Sequence, residues 1–292
     1  MSERKLILID ANSFCYRAFY AIRGLATSYG QPTNAVFGFV NMLKKILKTE
    51  NPDYVGVCFD VGRETFRQKK FSEYKIHREP MPEALISQMP IIKEVIAAFN
   101  LPVLELEGFE ADDVIATVSR SFATEKDLQV LIISGDKDIL QLVGKRVRVF
   151  NPGKDGGVFD EKKVLEAFGV EPKQIRDLLA LMGDKTDNIP GITGVGEVTA
   201  KALLKEFGSL ERILAASEKI KSEKLRGLVE GQRAQAILSR ELATLDEKVP
   251  IDFDLESLRM KLVDNKRLFE LFRKLEFKSL LKDLAYAPHG SK

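Results

Sequence analysis

Two stretches close together in the chain decide the fold: GFEADDVIATVSRSF at residues 108–122 and LQVLIISGDKD at residues 128–138. Apolar residues in the first stretch recur at the i, i+3, i+4, i+7 spacing of one helix face, which predicts an amphipathic helix. The second stretch begins with an apolar run, Leu128 to Ile133, in which Gln129 alone is polar, and such a run is typical of a strand buried on both faces. Acids stand at the start of the helix and directly after the strand, and they are Glu110, Asp112, Asp113, Asp136 and Asp138.

Two earlier segments repeat this arrangement of a short apolar run that ends in an acid. Residues 6–9 lead into Asp10, and residues 54–59 lead into Asp60. Parallel strands joined by crossover helices bring their carboxyl ends to one edge of a sheet, where open α/β folds bind ligands. We therefore predict an α/β fold with a mostly parallel central sheet flanked by helices.

The converging carboxylates predict a metal site. Two unit charges about 4 Å apart repel by roughly 4 kcal/mol at an effective dielectric constant near 20, so such a cluster must take up protons or cations. The chain has two histidines, His77 and His289, and we expect Cys15 and Cys58 to be reduced core residues. Because histidine and cysteine ligands are scarce, we expect an all-oxygen site for Mg²⁺ or Mn²⁺ rather than a zinc site.

Composition limits the class of protein. A chain of 292 residues can form one or two compact units. The apolar runs are too short to span a membrane and residues 1–10 have no signal-peptide layout, so we expect a cytoplasmic protein with no membrane partner. Because the net charge is only +2, binding to nucleic acid requires a local concentration of basic residues.

Residues 62–82 provide such a concentration, with basic side chains interleaved with aromatic ones. If the stretch is helical, one face carries Arg63, Arg67, Lys70, Tyr74 and Arg78. Such a face can line a passage for a phosphate chain and offer rings for base stacking. A solvated basic helix is the alternative, but the position directly after Asp60 favours nucleic acid. The helix start after Asp10 carries Tyr16 and Arg17, although a core helix with one surface arginine has the same pattern.

A second block, LMGDKTDNIPGITGVGEVTAKALLKEFGSL at residues 181–210, combines a turn with a helix over 197–207. The residues of interest in it are Asp184, Asp187, Gly191, Gly194, Gly196, Lys201 and Lys205. A hairpin with glycines at its tip offers backbone N–H groups and a helix N-terminus to a phosphate, and the lysines extend that surface. A glycine turn between packed helices is the alternative. The block is neither a dinucleotide fingerprint, since no strand precedes it, nor a P-loop.

Several long motifs occur in an order that resembles the 5′-nuclease (flap endonuclease) family. They are LIDANSFCYRAFYA, TSYGQPTNAVFGF, VCFDVGRETFRQKKFSEYKIHR, GFEADDVIA, SGDKDILQLV and LMGDKTDNIPGITGVGEVTA. The chain is similar in particular to the amino-terminal 5′→3′ exonuclease region of bacterial DNA polymerase I. The resemblance extends from Lys5 to Leu284, and it departs from many relatives at Ala11, where they have glycine.

The resemblance implies a role for each matching residue. It places Lys75 and Arg78 beside the scissile phosphate, with Arg17 also neutralising charge there. The implied metal ligands are Asp10, Asp60, Glu110, Asp112, Asp113, Asp136, Asp138, Asp184 and Asp187. The implied DNA-binding residues are Tyr16, Arg63, Arg67, Lys70, Tyr74, Gly191, Gly194, Gly196, Lys201 and Lys205.

The same resemblance implies an organisation in two regions and a tail. We expect an α/β nuclease core over residues 1–180, which includes a helical arch at about 62–90. A helical DNA-binding region follows over 181–284, with a helix-hairpin-helix at about 184–208 that binds duplex backbone and K⁺. Residues 285–292 form the tail.

The implied activity is structure-specific hydrolysis of phosphodiester bonds, as a 5′→3′ exonuclease and flap endonuclease in DNA replication and repair. Two or more divalent ions would activate water and stabilise the charge of an in-line displacement. The implied substrates are branched, flapped or nicked double-stranded DNA and RNA–DNA hybrids. We expect a monomer in the bacterial cytoplasm, associated with the nucleoid and fused to or acting with a DNA polymerase.

Other functions fit parts of this pattern. A PIN-type ribonuclease shares an acidic site, but it predicts a shorter chain without the glycine hairpin. A non-catalytic DNA-structure-binding protein would keep the basic surfaces beside vestigial carboxylates, and a magnesium-dependence assay on a 5′ flap would distinguish it from an enzyme. A phosphatase with an aspartate nucleophile is disfavoured, because Asn12 stands two residues after Asp10, where that chemistry requires a second acid.

Overall fold

The computed structural model describes residues 3–62, 64–153 and 157–285. Its sheet has six strands: β1 (Arg4–Asp10), β2 (Tyr54–Cys58), β3 (Val103–Leu104), β4 (Leu128–Ile133), β5 (Val147–Asn151) and β6 (Gly157–Phe159). The strand order is β3-β2-β1-β4-β5-β6, and β6 runs antiparallel to β5 while the other neighbours pair in parallel. The predicted α/β fold with a mostly parallel sheet is confirmed.

Helices cover the sheet and extend beyond it. Those that precede β5 are α1 (Ala11–Ala21), α2 (Asn34–Glu50), α3 (Phe66–Lys70), α4 (Glu83–Ile86), α5 (Met89–Ala98) and α6 (Ala111–Phe122). Those that follow β6 are α7 (Glu161–Phe168), α8 (Ile175–Met182), α9 (Glu197–Phe207), α10 (Leu210–Ala215), α11 (Glu223–Gly231), α12 (Arg233–Ala243), α13 (Asn265–Lys274) and α14 (Lys278–Ala285). Within the described ranges, every helix is too short or too polar to cross a membrane.

Alternating side chains along β1 produce two cores, one on each face of the sheet. Leu6 and Leu8 belong to one core, Ile7 and Ile9 belong to the other, and all four are fully buried. Helices α6 to α12 contribute to the first core, whereas α1, α2, α5, α13 and α14 contribute to the second. Because helices cover both faces, β1 from Leu6 onward and the whole of β2 are buried continuously rather than at alternate residues.

Parallel pairing places the carboxyl ends of β1, β2 and β4 side by side. The register pairs Asp10 with Cys58 and Ile9 with Ile133. Asp60 follows the end of β2 by two residues, and Asp136 follows the end of β4 by three. The fold therefore brings the acids after these strands to one edge of the sheet.

Short elements differ from the sequence-based expectation. The sequence did not indicate β3 or β6, because strands of two and three residues are too short to display a hydrophobic period. Between Pro82 and Asn100 the chain forms two helices, α4 and α5, which are separated at Gln88. The side chain of Gln88 is fully buried, and its oxygen accepts the N–H groups of Ala35 and Val36 at the start of α2.

The basic stretch does not form one helix, so the expected shared face over residues 63–78 is wrong. Helix α3 ends at Lys70, residues 72–77 form turns, and Lys75 adopts a left-handed conformation with φ of 56°. Arg63 lies outside the described residues, as does the tail after Ala285. The arch region is therefore a short helix followed by a compact turn, with α4 beyond it.

Two glycines allow a close backbone contact between the end of α8 and the turn that follows it. Asp184 and Ile189 form an isolated antiparallel bridge within that turn. Gly191 has a φ of 63°, and a Cβ atom there would lie 2.2 Å from the Gly183 nitrogen. Position 191 therefore requires glycine for both its conformation and its space.

We expect Gly191→Ala to lower the free energy of unfolding by about 2–4 kcal/mol, because it adds left-handed strain and a backbone overlap. Urea denaturation measures this loss. The matched control is Gly227→Ala in α11, where an added Cβ meets nothing within 4 Å. That control should gain about 0.5–1 kcal/mol, and equal losses in both variants would contradict the close contact.

Candidate active site

Six acidic side chains from five parts of the chain line one cavity of about 430 Å³ at the carboxyl edge of the sheet. They are Asp10, Asp60, Glu79, Glu110, Asp112 and Asp136. Tyr16, Lys75 and Arg78 line the same cavity. The tertiary structure therefore brings together acids that would hold cations and bases that would meet a phosphate.

Asp10 is positioned by the junction between β1 and α1. It is the last residue of β1 and the N-cap of α1, and one carboxylate oxygen accepts the N–H of Ser13 at 3.0 Å. The other oxygen accepts the Ser134 hydroxyl at 2.7 Å. Sequence reasoning missed both partners, although an aspartate directly before a helix is a preferred N-cap residue whose carboxylate accepts a backbone N–H of the first turn.

Asp60 is held from two directions in a similar way. Its carboxylate accepts the N–H of Ala111, at the start of α6, at 2.7 Å and the side-chain amide of Asn12 at 2.8 Å. Sequence reasoning used Asn12 only to argue against a phosphatase. In the structure Asn12 positions Asp60, and no local pattern indicated this because the two residues are 48 apart.

Burial makes the ionised forms of these carboxylates costly. It raises the pKa of Asp10 to about 6, and repulsion from Asp60 and Asp136 adds to the effect. Burial also raises the pKa of Asp112 and of Asp60. Near neutral pH the cluster is therefore stabilised by cations.

The turn after α8 delivers further acids to the same edge. Burial raises the pKa of Asp138, and the charges of Asp136, Asp187 and Asp184 raise it further. The Nζ atom of Lys137 lies 2.8 Å from Asp184. Sequence spacing alone could not bring Asp184 and Asp187 here, and the assignment depended on the family resemblance.

The donor chemistry of the site suits a hard divalent cation. The acids supply oxygen atoms, and the buried side-chain oxygens Oδ1 of Asn12 and Oδ1 of Asp138 have no hydrogen-bond partner within the described part of the chain. In the conformation described for residues 3–62, 64–153 and 157–285, no group of three acidic, histidine or cysteine side chains is arranged to hold a metal ion.

The amino group of Lys75 occupies the position of a counter-ion. Its Nζ atom lies 2.8 Å from Glu110 and 3.6 Å from Asp187. The backbone N–H of Lys75 also donates to the carbonyl of Asp187, which fixes the left-handed turn. A divalent cation must therefore compete with this ammonium group for the carboxylates.

The structure corrects the roles assigned to Arg67, Asp113 and Tyr74. Arg67 is 1 % exposed and forms two hydrogen bonds of 2.7 Å with Asp113, which is fully buried. Arg67 is therefore too enclosed to contact DNA, and Asp113 is committed to Arg67 rather than to a cation. Tyr74 is also buried, with its hydroxyl 3.2 Å from both Glu110 and Asp187, so its ring is not available for base stacking.

Arg17 and Gly191 also lie away from their expected contacts. Arg17 lines a different depression together with Lys45, so it is not beside the carboxylates. Gly191 is buried, and its N–H donates to the hydroxyl of Ser239 at 3.0 Å rather than to a phosphate. Sequence patterns give the residue types at these positions but not the neighbours that they contact in the fold.

The remaining predicted DNA contacts are at the surface. Gly194 and Gly196 are exposed, and their N–H groups have no acceptor among the residues that the structure describes. Lys201 pairs with Glu197 in the first turn of α9. Lys70 pairs with Glu241, and Lys205 is exposed near the end of α9.

Two family descriptions together match nearly the whole chain. Residues 5–169 match the 5′-3′ exonuclease N-terminal resolvase-like domain, and residues 170–266 match the 5′-3′ exonuclease C-terminal SAM fold. The chain belongs to the 5′-3′ exonuclease family. This assignment replaces the PIN-type ribonuclease alternative and makes the protein a nuclease of the hydrolase class.

Relatives of this exonuclease include free-standing and fused proteins. A 5′-3′ exonuclease from Aquifex aeolicus is 44% identical over 281 residues, which cover 96% of this chain and 95% of the relative. DNA polymerase I from Caldicellulosiruptor bescii is also 44% identical, over 96% of this chain but 33% of the polymerase. The chain thus spans about a third of the length of its DNA polymerase I relatives.

Solved structures share the exonuclease fold at low sequence identity. A bacteriophage T5 flap endonuclease in complex with DNA and metal ions has a TM-score of 0.70 at 19% identity, over 97% of this chain and all of that one. T5 5′-exonuclease with bound zinc ions has a TM-score of 0.69 at 20% identity, over 97% of this chain and 98% of that one. The catalytic core of Rad2 with a DNA substrate has a TM-score of 0.65 at 17% identity, over 97% and 93%.

The buried acids of this exonuclease give a pH-dependent prediction. The folded-state pKa of Asp10 is about 6, whereas the ordinary value is 3.8. Ionisation of this side chain in the folded protein therefore lowers the free energy of unfolding, and this penalty is absent below about pH 4 and complete above about pH 6. Without divalent ions, Asp10→Asn should raise the free energy of unfolding by roughly 2–3 kcal/mol near pH 8. The gain should vanish below about pH 4.

Urea denaturation in a chelator at both pH values measures this difference. Asp252→Asn, at an exposed acid away from the cavity, is the matched control and should change little at either pH. A gain from Asp10→Asn of equal size at both pH values would contradict an ionisation penalty at this site.

Proposed function

We propose that the chain hydrolyses phosphodiester bonds of DNA as a 5′→3′ exonuclease and flap endonuclease, with Mg²⁺ or Mn²⁺ as its cofactor. The observation that carries this proposal is the cavity in which six carboxylates meet Lys75 and Arg78, in a chain of the 5′-3′ exonuclease family. Carboxylates without a cation would repel a phosphate, whereas carboxylates with cations attract one.

The cavity residues would have two roles: the acidic ones would hold cations, and the basic ones would neutralise the phosphate. Asp10, Asp60, Asp112 and Asp136 would hold the cations, and Glu110 would join them when Lys75 moves away. When bound, a pair of divalent cations activates water and stabilises the attacking and leaving oxygens of an in-line displacement. Lys75, once displaced from Glu110, and Arg78 offer positive charge to the scissile phosphate.

Water is the nucleophile that fits this cavity. The chain has only two histidines, and the cavity is lined by neither of them. The tyrosine in the cavity is Tyr16, for which burial raises the pKa of the phenol, so the phenolate form is disfavoured. These residues favour cation-activated water over a covalent intermediate on a side chain.

We propose that the substrates are branched, flapped or nicked double-stranded DNA and RNA–DNA hybrids. The exposed N–H groups of Gly194 and Gly196, together with the N-terminus of α9, would contact duplex phosphates, with K⁺ bound at the hairpin. Such backbone contacts select DNA by structure, because they carry little sequence information. The DNA-bound T5 flap endonuclease structure supports this substrate class through its shared fold.

The nuclease core of residues 1–180 and the helical region of residues 181–284 would act together as a monomer. Relatives named DNA polymerase I contain this region as about a third of their length, which supports a role fused to or beside a DNA polymerase. That role would place the chain in the bacterial cytoplasm at the nucleoid, in DNA replication and repair.

Asp136→Ala should lower cleavage of a labelled 5′ flap by more than about 100-fold, because the cavity loses an oxygen ligand. Binding of the same flap, measured by fluorescence anisotropy, should remain detectable. Asp252→Ala is the control at an exposed acid and should cleave at the wild-type rate. Wild-type turnover by Asp136→Ala would remove this residue from the metal site.

Lys75→Ala should slow single-turnover cleavage by about 100-fold while weakening flap binding less than about threefold, because its charge acts at the scissile phosphate. Lys261→Ala is the matched control: it follows Met260, whose N–H donates to Asp53 at the opposite end of the sheet. Equal losses of rate and affinity in Lys75→Ala would make Lys75 only an affinity contact.

A further inference from the structure

We propose that Arg67 is a positioning residue that couples duplex binding at the glycine hairpin to the metal centre, through helix α12. The inference rests on the proposed function, since it assumes that the hairpin binds duplex and that Glu110 holds a cation. It makes a buried arginine the residue through which duplex binding at the hairpin affects cation binding at the metal centre. Three links in the structure carry the argument.

The first link is the Arg67 guanidinium, in which every N–H group forms a hydrogen bond. Its two terminal nitrogens donate to the two oxygens of Asp113 at 2.7 Å each, and one of them also donates to Glu110 at 3.2 Å. Its remaining N–H groups donate to the carbonyls of Leu242 and Thr244, both at 2.9 Å. All five guanidinium donors are therefore satisfied, and only arginine offers this planar set.

The second link leads from Arg67 to the cavity. The Oε2 atom of Glu110 accepts hydrogen bonds from Arg67 and from the hydroxyl of Tyr74, while Oε1 pairs with Lys75. One oxygen of Glu110 is thus held by buried partners, and the other faces the ammonium group that a cation would replace. The position of Arg67 therefore sets where Glu110 presents its free oxygen.

The third link leads from Arg67 to the hairpin along α12. Gln232, directly before α12, exchanges two hydrogen bonds with the backbone of Thr193, at 2.8 and 3.1 Å. Within α12, Gln235 donates to the Gly191 carbonyl at 2.7 Å, and Ser239 accepts the Gly191 N–H at 3.0 Å. The amino-terminal part of α12 is therefore bound to the hairpin.

The other end of the same helix supplies the carbonyls that hold Arg67. Leu242 is in the last turn of α12, Thr244 follows the helix directly, and the N–H of Asp246 donates to Asp113 at 2.8 Å. A displacement of the hairpin therefore moves α12, and α12 moves the partners of Arg67. Because the pair of Arg67 with Asp113 is buried and bidentate, it transmits the shift instead of exchanging partners.

The test measures coupling by binding alone. A fluorescent 5′-flap duplex is titrated with wild-type chain and with Arg67→Lys, once in a chelator and once in Ca²⁺. Gels of the same samples confirm that the duplex is intact. The ratio of the two dissociation constants reports how strongly the cation and the duplex favour each other.

We expect Ca²⁺ to tighten duplex binding by about tenfold in the wild type and by less than about twofold in Arg67→Lys. A lysine keeps the charge but lacks the fork that joins Asp113 to the two carbonyls. Arg259→Lys is the control, because Arg259 is an exposed arginine that pairs with Glu256, and it should keep the wild-type ratio. An Arg67→Lys variant that weakens binding equally with and without Ca²⁺ would overturn the coupling and leave a purely structural arginine.

A second variant tests the same route without touching Arg67. Replacing Gln235 and Ser239 together by alanine breaks the contacts between α12 and the hairpin, and the ratio should again fall below about twofold. An unchanged ratio in this variant would overturn the route through α12, even if Arg67→Lys did not fold. Failure of the wild type to cleave the flap in Mg²⁺ would instead refute the proposed function, since the ratio does not depend on cleavage.

Discussion

Buried negative charge at the carboxyl edge of the sheet is the constraint on which the rest of the structure depends. Parallel pairing of β1 with β2 and with β4 forces the acids that follow these strands into one region. Burial then raises the pKa of Asp10, Asp112 and Asp138. The chain meets this charge with basic side chains, which are Arg67, Lys75 and Lys137. Of these charges, the ammonium group of Lys75 is the one that a divalent cation at Glu110 would have to displace.

The three acids at the start of α6 show how one short sequence serves different purposes. Successive residues on a helix point about 100° apart, so Asp112 lines the cavity while Asp113 lies in the core with Arg67. Glu110 stands between these roles, because one of its oxygens contacts Arg67 and the other contacts Lys75. Breaking a buried pair such as Arg67 with Asp113 costs several kcal/mol, so that pair is a permanent part of the fold.

The helical region completes the centre rather than only extending it. The carbonyls of Leu242 and Thr244 satisfy Arg67 of the nuclease core, and the backbone of Asp187 fixes the turn at Lys75. The fold therefore has polar contacts between the parts that match the two family domains. The cavity itself is lined by residues of the first part, and the second part holds two of the residues around it, Arg67 and Lys75, in place.

The sequence by itself determined the principal strands, the helix α6 and the meeting of Asp10, Asp60, Asp112 and Asp136, because apolar runs are local and parallel pairing aligns their ends. Its motifs also determined the family. Only the tertiary structure decided the roles of residues whose burial depends on distant partners. A run of basic and aromatic residues has the same pattern whether it faces solvent or the core, and Arg67 finds its partners 46 and 175 residues away. Burial of a charge is a property of the assembled packing, so it could not be seen in the local pattern.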